Sequence, residues 1–139
     1  MKIQRFSLLL LLVSMSLCFA GCQSKHQVLK PDAISSFSTN QDQHLVIVAN
    51  RDSIEDNVEF TKELISMCVE NSFRTIKFST DRGYPTSLSL TVYSWKDKIE
   101  GNEPILKVSY EPAEYRKNYD IKNNPDKFIL KVAGEEVDF

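Results

Sequence analysis

Glycine, histidine and cysteine are scarce in this sequence, and each shortage removes a class of chemistry. Four glycines among 139 residues supply neither a Walker loop nor a dinucleotide fingerprint, since both press bare backbone N–H groups against a phosphate. The two histidines, His26 and His44, sit in or beside one polar stretch, with no Cys-x-x-Cys or His-Glu-x-x-His spacing around them, so no metal site and no cofactor is expected. A Gly-x-Ser-x-Gly elbow and a calcium loop are missing as well. Positive charge is short too: 17 basic residues are scattered among 19 acidic ones, whereas a nucleic-acid partner needs a clustered basic surface to displace counterions.

What the chain does have begins with its first residues. Lys2 and Arg5 precede an apolar run from Phe6 to Val13, and Ser, Cys and small residues follow up to Cys22. That is the charged, apolar, small order of an export signal, and the run is too short for a membrane-spanning helix of about 20 residues. Phe19, Ala20, Gly21 and Cys22 fall on the four positions of a lipobox, with Phe19 where an aliphatic residue is usual. In this the leader resembles that of a bacterial lipoprotein, over residues 1–22 only. The resemblance implies that residues 1–21 are a signal peptide, that the Cys22 thiol carries a diacylglyceryl group, and that the chain is held to the lipid bilayer outside the cytoplasm. Each buried methylene contributes about 0.8 kcal/mol, and two acyl chains are enough for stable anchorage. Gln23 rather than aspartate follows Cys22, which implies the outer membrane in a two-membrane host; in a one-membrane host the address is the cell membrane. The alternative is a secreted chain cleaved after Ala20 or Gly21 with Cys22 left as a free thiol.

Removal of the leader takes Lys2 and Arg5 with it, leaving 17 − 2 = 15 basic against 19 acidic groups, a net charge of −4. It takes Cys18 as well. With Cys22 acylated, Cys68 has no partner for an internal disulfide and is expected to pack as a small apolar side chain. A nucleophilic Cys68 would need a histidine or a positive neighbourhood to form thiolate.

Residues 22–43, rich in Ser, Gln and Asp, read as a lipid-anchored polar tether; as a flexible coil of about 21 residues it would span roughly 25 Å. Val28, Leu29, Ile34 and Phe37 are the side chains in it that could dock on the folded part. Residues 44–139 then form one α+β domain. "HLVIVAN" is a β-branched run and reads as a strand. After it, Asp52 or Ser53 suits a helix cap with Glu55 or Asp56 completing a capping box. Ile54, Val58, Thr61, Ile65 and Cys68 then recur on one helical face, ending near Asn71. The period changes to two in "FRTIKFST" and in "SLSLTVYSW", with "DRGYP" as a reversal between them. "ILKVSYE" and "KFILKVAG" give two further strands. The expected fold is one helix packed on a four- to five-stranded, mainly antiparallel sheet in the order β-α-β-β-β-β. By topology this is similar to a cystatin-like roll, without the Gln-x-Val-x-Gly hairpin through which cystatins enter proteases.

No residues present themselves as catalytic. Carboxylates such as Glu135 and Glu136, or Asp97 and Glu100, are adjacent or solvated surface acids. The compositional oddity is aromatic: Tyr84, Tyr93, Trp95, Tyr110, Tyr115 and Tyr119 all fall in the strand and loop half. Tyr84, Tyr93, Trp95 and Tyr110 are the candidate binding residues, for a protein, peptide or glycan partner; the alternative is that they cover the open face of the sheet and pack with lysine stems. The expected function is therefore a non-catalytic binding module held to the cell envelope, with a small envelope hydrolase or transferase, or a protease inhibitor, as alternatives. Replacing Cys22 by serine is expected to abolish incorporation of labelled palmitate and to move the chain from the membrane to the soluble fraction; unchanged labelling would place the acyl group elsewhere.

Overall fold

Alternation in the apolar runs sets the sheet. In β2 (Asp42–Val48) Leu45 and Ile47 point inward, in β3 (Ser87–Tyr93) Leu88, Leu90 and Val92, in β4 (Leu106–Pro112) Leu106, Val108 and Tyr110, and in β5 (Phe128–Val132) Leu130 and Val132. The computed structural model describes residues 29–116 and 118–139; the proposed signal peptide, Cys22, His26 and the first part of the proposed tether lie outside them. With β1 (Asp32–Thr39) and β6 (Glu135–Val137) the sheet has six strands in sequential order. Every neighbouring pair is antiparallel except β2 and β3, which run parallel because the helix α1 (Asn57–Glu70) returns the chain across one face before β3 begins.

Asp56 caps α1, its carboxylate accepting from Val58 N–H at 2.9 Å and Glu59 N–H at 3.0 Å. The cap expected at Asp52 or Ser53 is thus displaced, and Ile54 lies ahead of the helix. Asp52 is engaged elsewhere: its Oδ1 accepts from the Trp95 indole N–H at 2.7 Å. Phe60, Thr61, Leu64, Ile65 and Cys68 form the buried stripe of α1. The helix stops at Asn71, whose left-handed φ of 52° turns the chain while its N–H and that of Ser72 bond back to Cys68 and Met67.

Three expectations are corrected. First, the tether does not reach residue 43, because Asp32–Thr39 is an edge strand that turns through Asn40 and Gln41 into β2. Both turn residues have positive φ, 51° and 72°, as a two-residue hairpin of the primed type demands, and the Gln41 amide donates to the Arg82 carbonyl. Second, "FRTIKFST" is not a strand. Its N–H groups are taken by side chains instead: the Asp32 carboxylate accepts from Arg74 N–H at 2.8 Å, Thr75 N–H at 3.1 Å and the Thr75 hydroxyl, and Asn71 brackets the backbone of Phe78. Phe73 and Phe78 reach the core from this irregular segment. Third, the sheet is mixed and six-stranded, with a hairpin strand ahead of β2 and a short β6 reached through the positive-φ pair Ala133 and Gly134.

Asp32 is 3% exposed. Burial alone would raise its carboxyl; the Thr75 and Arg74 hydrogen bonds and the Arg74 guanidinium outweigh that and hold it below the ordinary value of 3.8. Its contribution to stability is whole above the unfolded value and is lost as pH falls through the lower folded value. Asp32→Asn is expected to cost about 1–3 kcal/mol at neutral pH and to flatten the acid limb of the stability curve below about pH 4, as urea unfolding at several pH values would measure.

Candidate functional site

The four aromatic candidates do not assemble into one patch. Tyr110 is on the helix-facing side of β4, fully buried; its ring stacks on Phe128 at 4.8 Å and its hydroxyl donates to the Pro125 carbonyl at 3.4 Å. Burial, then the nearby Asp126 charge, raises its phenol above the ordinary value. It is a core residue, so its place among exposed binding residues is withdrawn: β4 alternates with Leu106 and Val108, and Tyr110 shares their phase. Tyr93 ends β3 in the opposite phase and is half-buried, with Trp95 just beyond it tied to Asp52. Tyr84 lies ahead of β3, where Lys122 Nζ sits 2.6 Å from its hydroxyl and 4.5 Å from its ring centroid. A seven-residue strand separates Tyr84 from Tyr93, roughly 20 Å at about 3.3 Å per residue.

The face away from α1 offers a different arrangement. Its phase in the two central strands is carried by short hydroxyl side chains: Ser87, Ser89 and Thr91 in β3 and Ser109 in β4. Ser89 stands opposite Ser109, which stands opposite Lys131, and Thr91 stands opposite Lys107. Taller side chains flank this floor. On one side His44 and Val46 of β2 rise beside it, with the Phe37 ring of β1 stacked on His44 at 4.5 Å and an interplanar angle of 7°. On the other, Ile129 and Lys131 of β5 form the wall, and Lys131 Nζ holds Glu111 at 2.7 Å. The result is a trough along β3 and β4, and a hollow of about 650 Å³ in it is lined by Ser89, Thr91, Ile105, Lys107, Ser109 and Lys131 among others.

Its electrostatics are uneven. The hydrogen bond from Lys131 to Glu111 and the Glu111 charge raise the Lys131 ammonium above its ordinary value, so that pair is a fixed dipole at one end. Lys107 is exposed and makes no ion pair among the described residues, so its ammonium stands at the hydroxyl floor, with the exposed carboxylate of Glu103 in the same lining. Sequence reasoning missed this trough because serine and threonine in a strand carry no signature; the signal lay in their shared phase across "SLSLT" and "KVSY", which becomes visible once the two strands are paired.

Other chemistry-bearing residues are accounted for by the fold. Burial pushes the Cys68 thiol up to about 12, so at neutral pH it is an uncharged core group. Glu55, Asp56, Glu59 and Glu63 line a hollow with Arg51, but Asp56 is the α1 cap and Glu59 faces Lys62 at 3.6 Å, acids where a helix N-terminus favours them. Among the described residues no group of three or more His, Cys, Asp or Glu side chains is placed to hold a metal ion, and no helix is long and apolar enough to cross a membrane.

Compared with known protein families, curated proteins and solved structures, the chain matches none. Its function is therefore argued from its own geometry. Tyr110→Ala is expected to destabilise the domain by about 3–5 kcal/mol, as for other large buried rings, whereas Tyr93→Ala, on the half-exposed side, should cost under about 1.5 kcal/mol; equal losses in thermal unfolding would contradict the two assigned phases.

Proposed function

We propose that this chain is a non-catalytic binding module, anchored outside the cytoplasm through acylated Cys22, whose open sheet face receives an extended, hydroxyl-rich anionic polymer such as an acidic glycan. The observation that carries the reading is the hydroxyl floor of β3 and β4, with a hollow over Ser89, Thr91 and Ser109 and the unpaired ammonium of Lys107 opposite Thr91. Short hydroxyls both donate and accept, so they suit a ligand that presents many hydroxyls along its length. An unpaired ammonium suits carboxylate or phosphate groups on that ligand. Tyr93 remains at one end of the trough as a ring that a sugar face can cover.

The test uses the full chain in detergent micelles with two probes, oligogalacturonate and an uncharged cello-oligosaccharide of the same length. Amide shifts on adding oligogalacturonate are expected to cluster at Ser87–Thr91 and Lys107–Ser109. Ser89→Trp, which fills the floor, should weaken binding by at least about tenfold, equivalent to about 1.4 kcal/mol. Lys107→Ala should lower affinity for the acidic probe and leave the neutral one unchanged. Shifts scattered over α1, or indifference to Ser89→Trp, would remove the trough from consideration.

A further inference from the structure

The two edges of the sheet are unlike. β6 is three residues long and carries Glu135 and Glu136, a short charged edge of the kind that discourages further strand pairing. β1 is eight residues long, and its only charge, Asp32, is buried in bonds to Arg74 and Thr75. A bulge at Ile34 interrupts its upper end, but Ser35–Thr39 pairs regularly with β2. Among the described residues no backbone group outside β2 bonds to this stretch. Phe37 pairs with His44 and its carbonyl also accepts from the Gln43 amide at 3.1 Å, so by the antiparallel alternation it is Ser36 and Ser38 that turn their N–H and C=O groups to the open edge. Phe37 itself is 60% exposed, and a hollow of about 620 Å³ lies between Ser36–Ser38 and residues of segment 78–85.

We propose that the outer edge of β1 pairs with the same edge of a second copy of this chain, antiparallel about a two-fold axis at Phe37. A two-fold interface sets each surface against itself, and that condition selects this edge. Residues 33–39 contain no charge, so no like charges meet. The same operation at β6 would set glutamates near glutamates. The axis at Phe37 lies at the centre of the regular stretch: Ser36 then stands opposite Ser38, and Ser35 opposite Thr39. Phe37 meets its own copy at the roughly 4.5–5.5 Å spacing of directly opposed residues, extending the existing stack into His44, Phe37, Phe37, His44. Four flat rings cover one another on the face that also carries the trough, and the two six-stranded sheets become one. Five residue pairs make a small, transient interface. Confinement of both copies to one bilayer, on the proposed Cys22 anchorage, would raise their effective concentration, although the pairing itself does not require it.

Site-specific cross-linking of the full chain in detergent micelles tests the register, with the unsubstituted chain as the control for Cys22 and Cys68. Phe37→Cys is expected to form a disulfide-linked dimer on mild oxidation, since each new thiol faces its own copy within bridging distance. Ser35→Cys alone should not, because it faces Thr39, whereas Ser35→Cys mixed with Thr39→Cys should. By sedimentation, Phe37→Lys, which sets two ammonium groups face to face, should abolish a concentration-dependent association that Phe37→Tyr retains. Equal cross-linking of Ser35→Cys and Phe37→Cys would mean random collision and overturn the proposal. So would an unsubstituted chain that is monomeric at millimolar concentration, which would leave the edge for a peptide of another protein. None of these readouts involves oligogalacturonate, so failure here and failure of the trough are distinguishable.

Discussion

The Asp32 carboxylate decides how the chain travels from the end of α1 to the start of β3. It reaches 42 and 43 residues along the sequence to accept the N–H groups of Arg74 and Thr75, donors that a further strand would otherwise have had to satisfy. Held there, the segment after α1 delivers Phe73 and Phe78 into the core from one side of the sheet and makes no ladder with β1. The edge of β1 stays unpaired as a result, and the opposite face of the sheet stays uncovered. The entry of Phe73 and Phe78 into the core and the free edge both go with where that carboxylate sits.

The parallel contact between β2 and β3 is the second organising feature. A helix of 14 residues makes the one crossover, and β3 to β6 follow as an antiparallel series with no further α-helix among the described residues. Because α1 covers a single face, each strand divides its residues between a dry side and a wet one. Leu88, Leu90 and Val92 go to the dry side and Ser87, Ser89 and Thr91 to the wet one. A polar floor of small residues is what the central strands can keep on the wet side without losing the β-branched and hydroxyl character that pleated backbone accepts.

Much of this was legible beforehand, for identifiable reasons. The helix, β2, β3, β4 and β5 all follow from periodicity, because burial on one face writes itself into the spacing of apolar residues. Where burial did not write the pattern, reading failed. In "DAISSFST" the inward positions after the bulge are Ser36 and Ser38, facing a buried Gln43, so the strand shows no apolar alternation and resembles a linker. Its turn, Asn40 and Gln41, lacks the glycine that usually marks a primed hairpin. "FRTIKFST" erred the other way: its alternation is real, but its backbone partners are the carboxylate of Asp32 and the amide of Asn71, contacts from distant or capping side chains that no local pattern encodes. Tyr110 was misplaced because it was grouped with the other aromatic residues by composition, whereas the phase of Leu106 and Val108 puts it inside.

The N-terminal hairpin also sets the scale of motion at the proposed anchorage. Since β1 begins at Asp32, and Lys30 is already fastened by the Asn50 amide at 2.8 Å, only eight bonds of virtual Cα chain, 30 − 22, separate that fastening point from Cys22. Fully drawn out, such a leash measures at most about 29 Å. On the proposed anchorage a tie of that length would keep the globule close to the bilayer, so whatever it grips would itself have to pass close to the lipid surface.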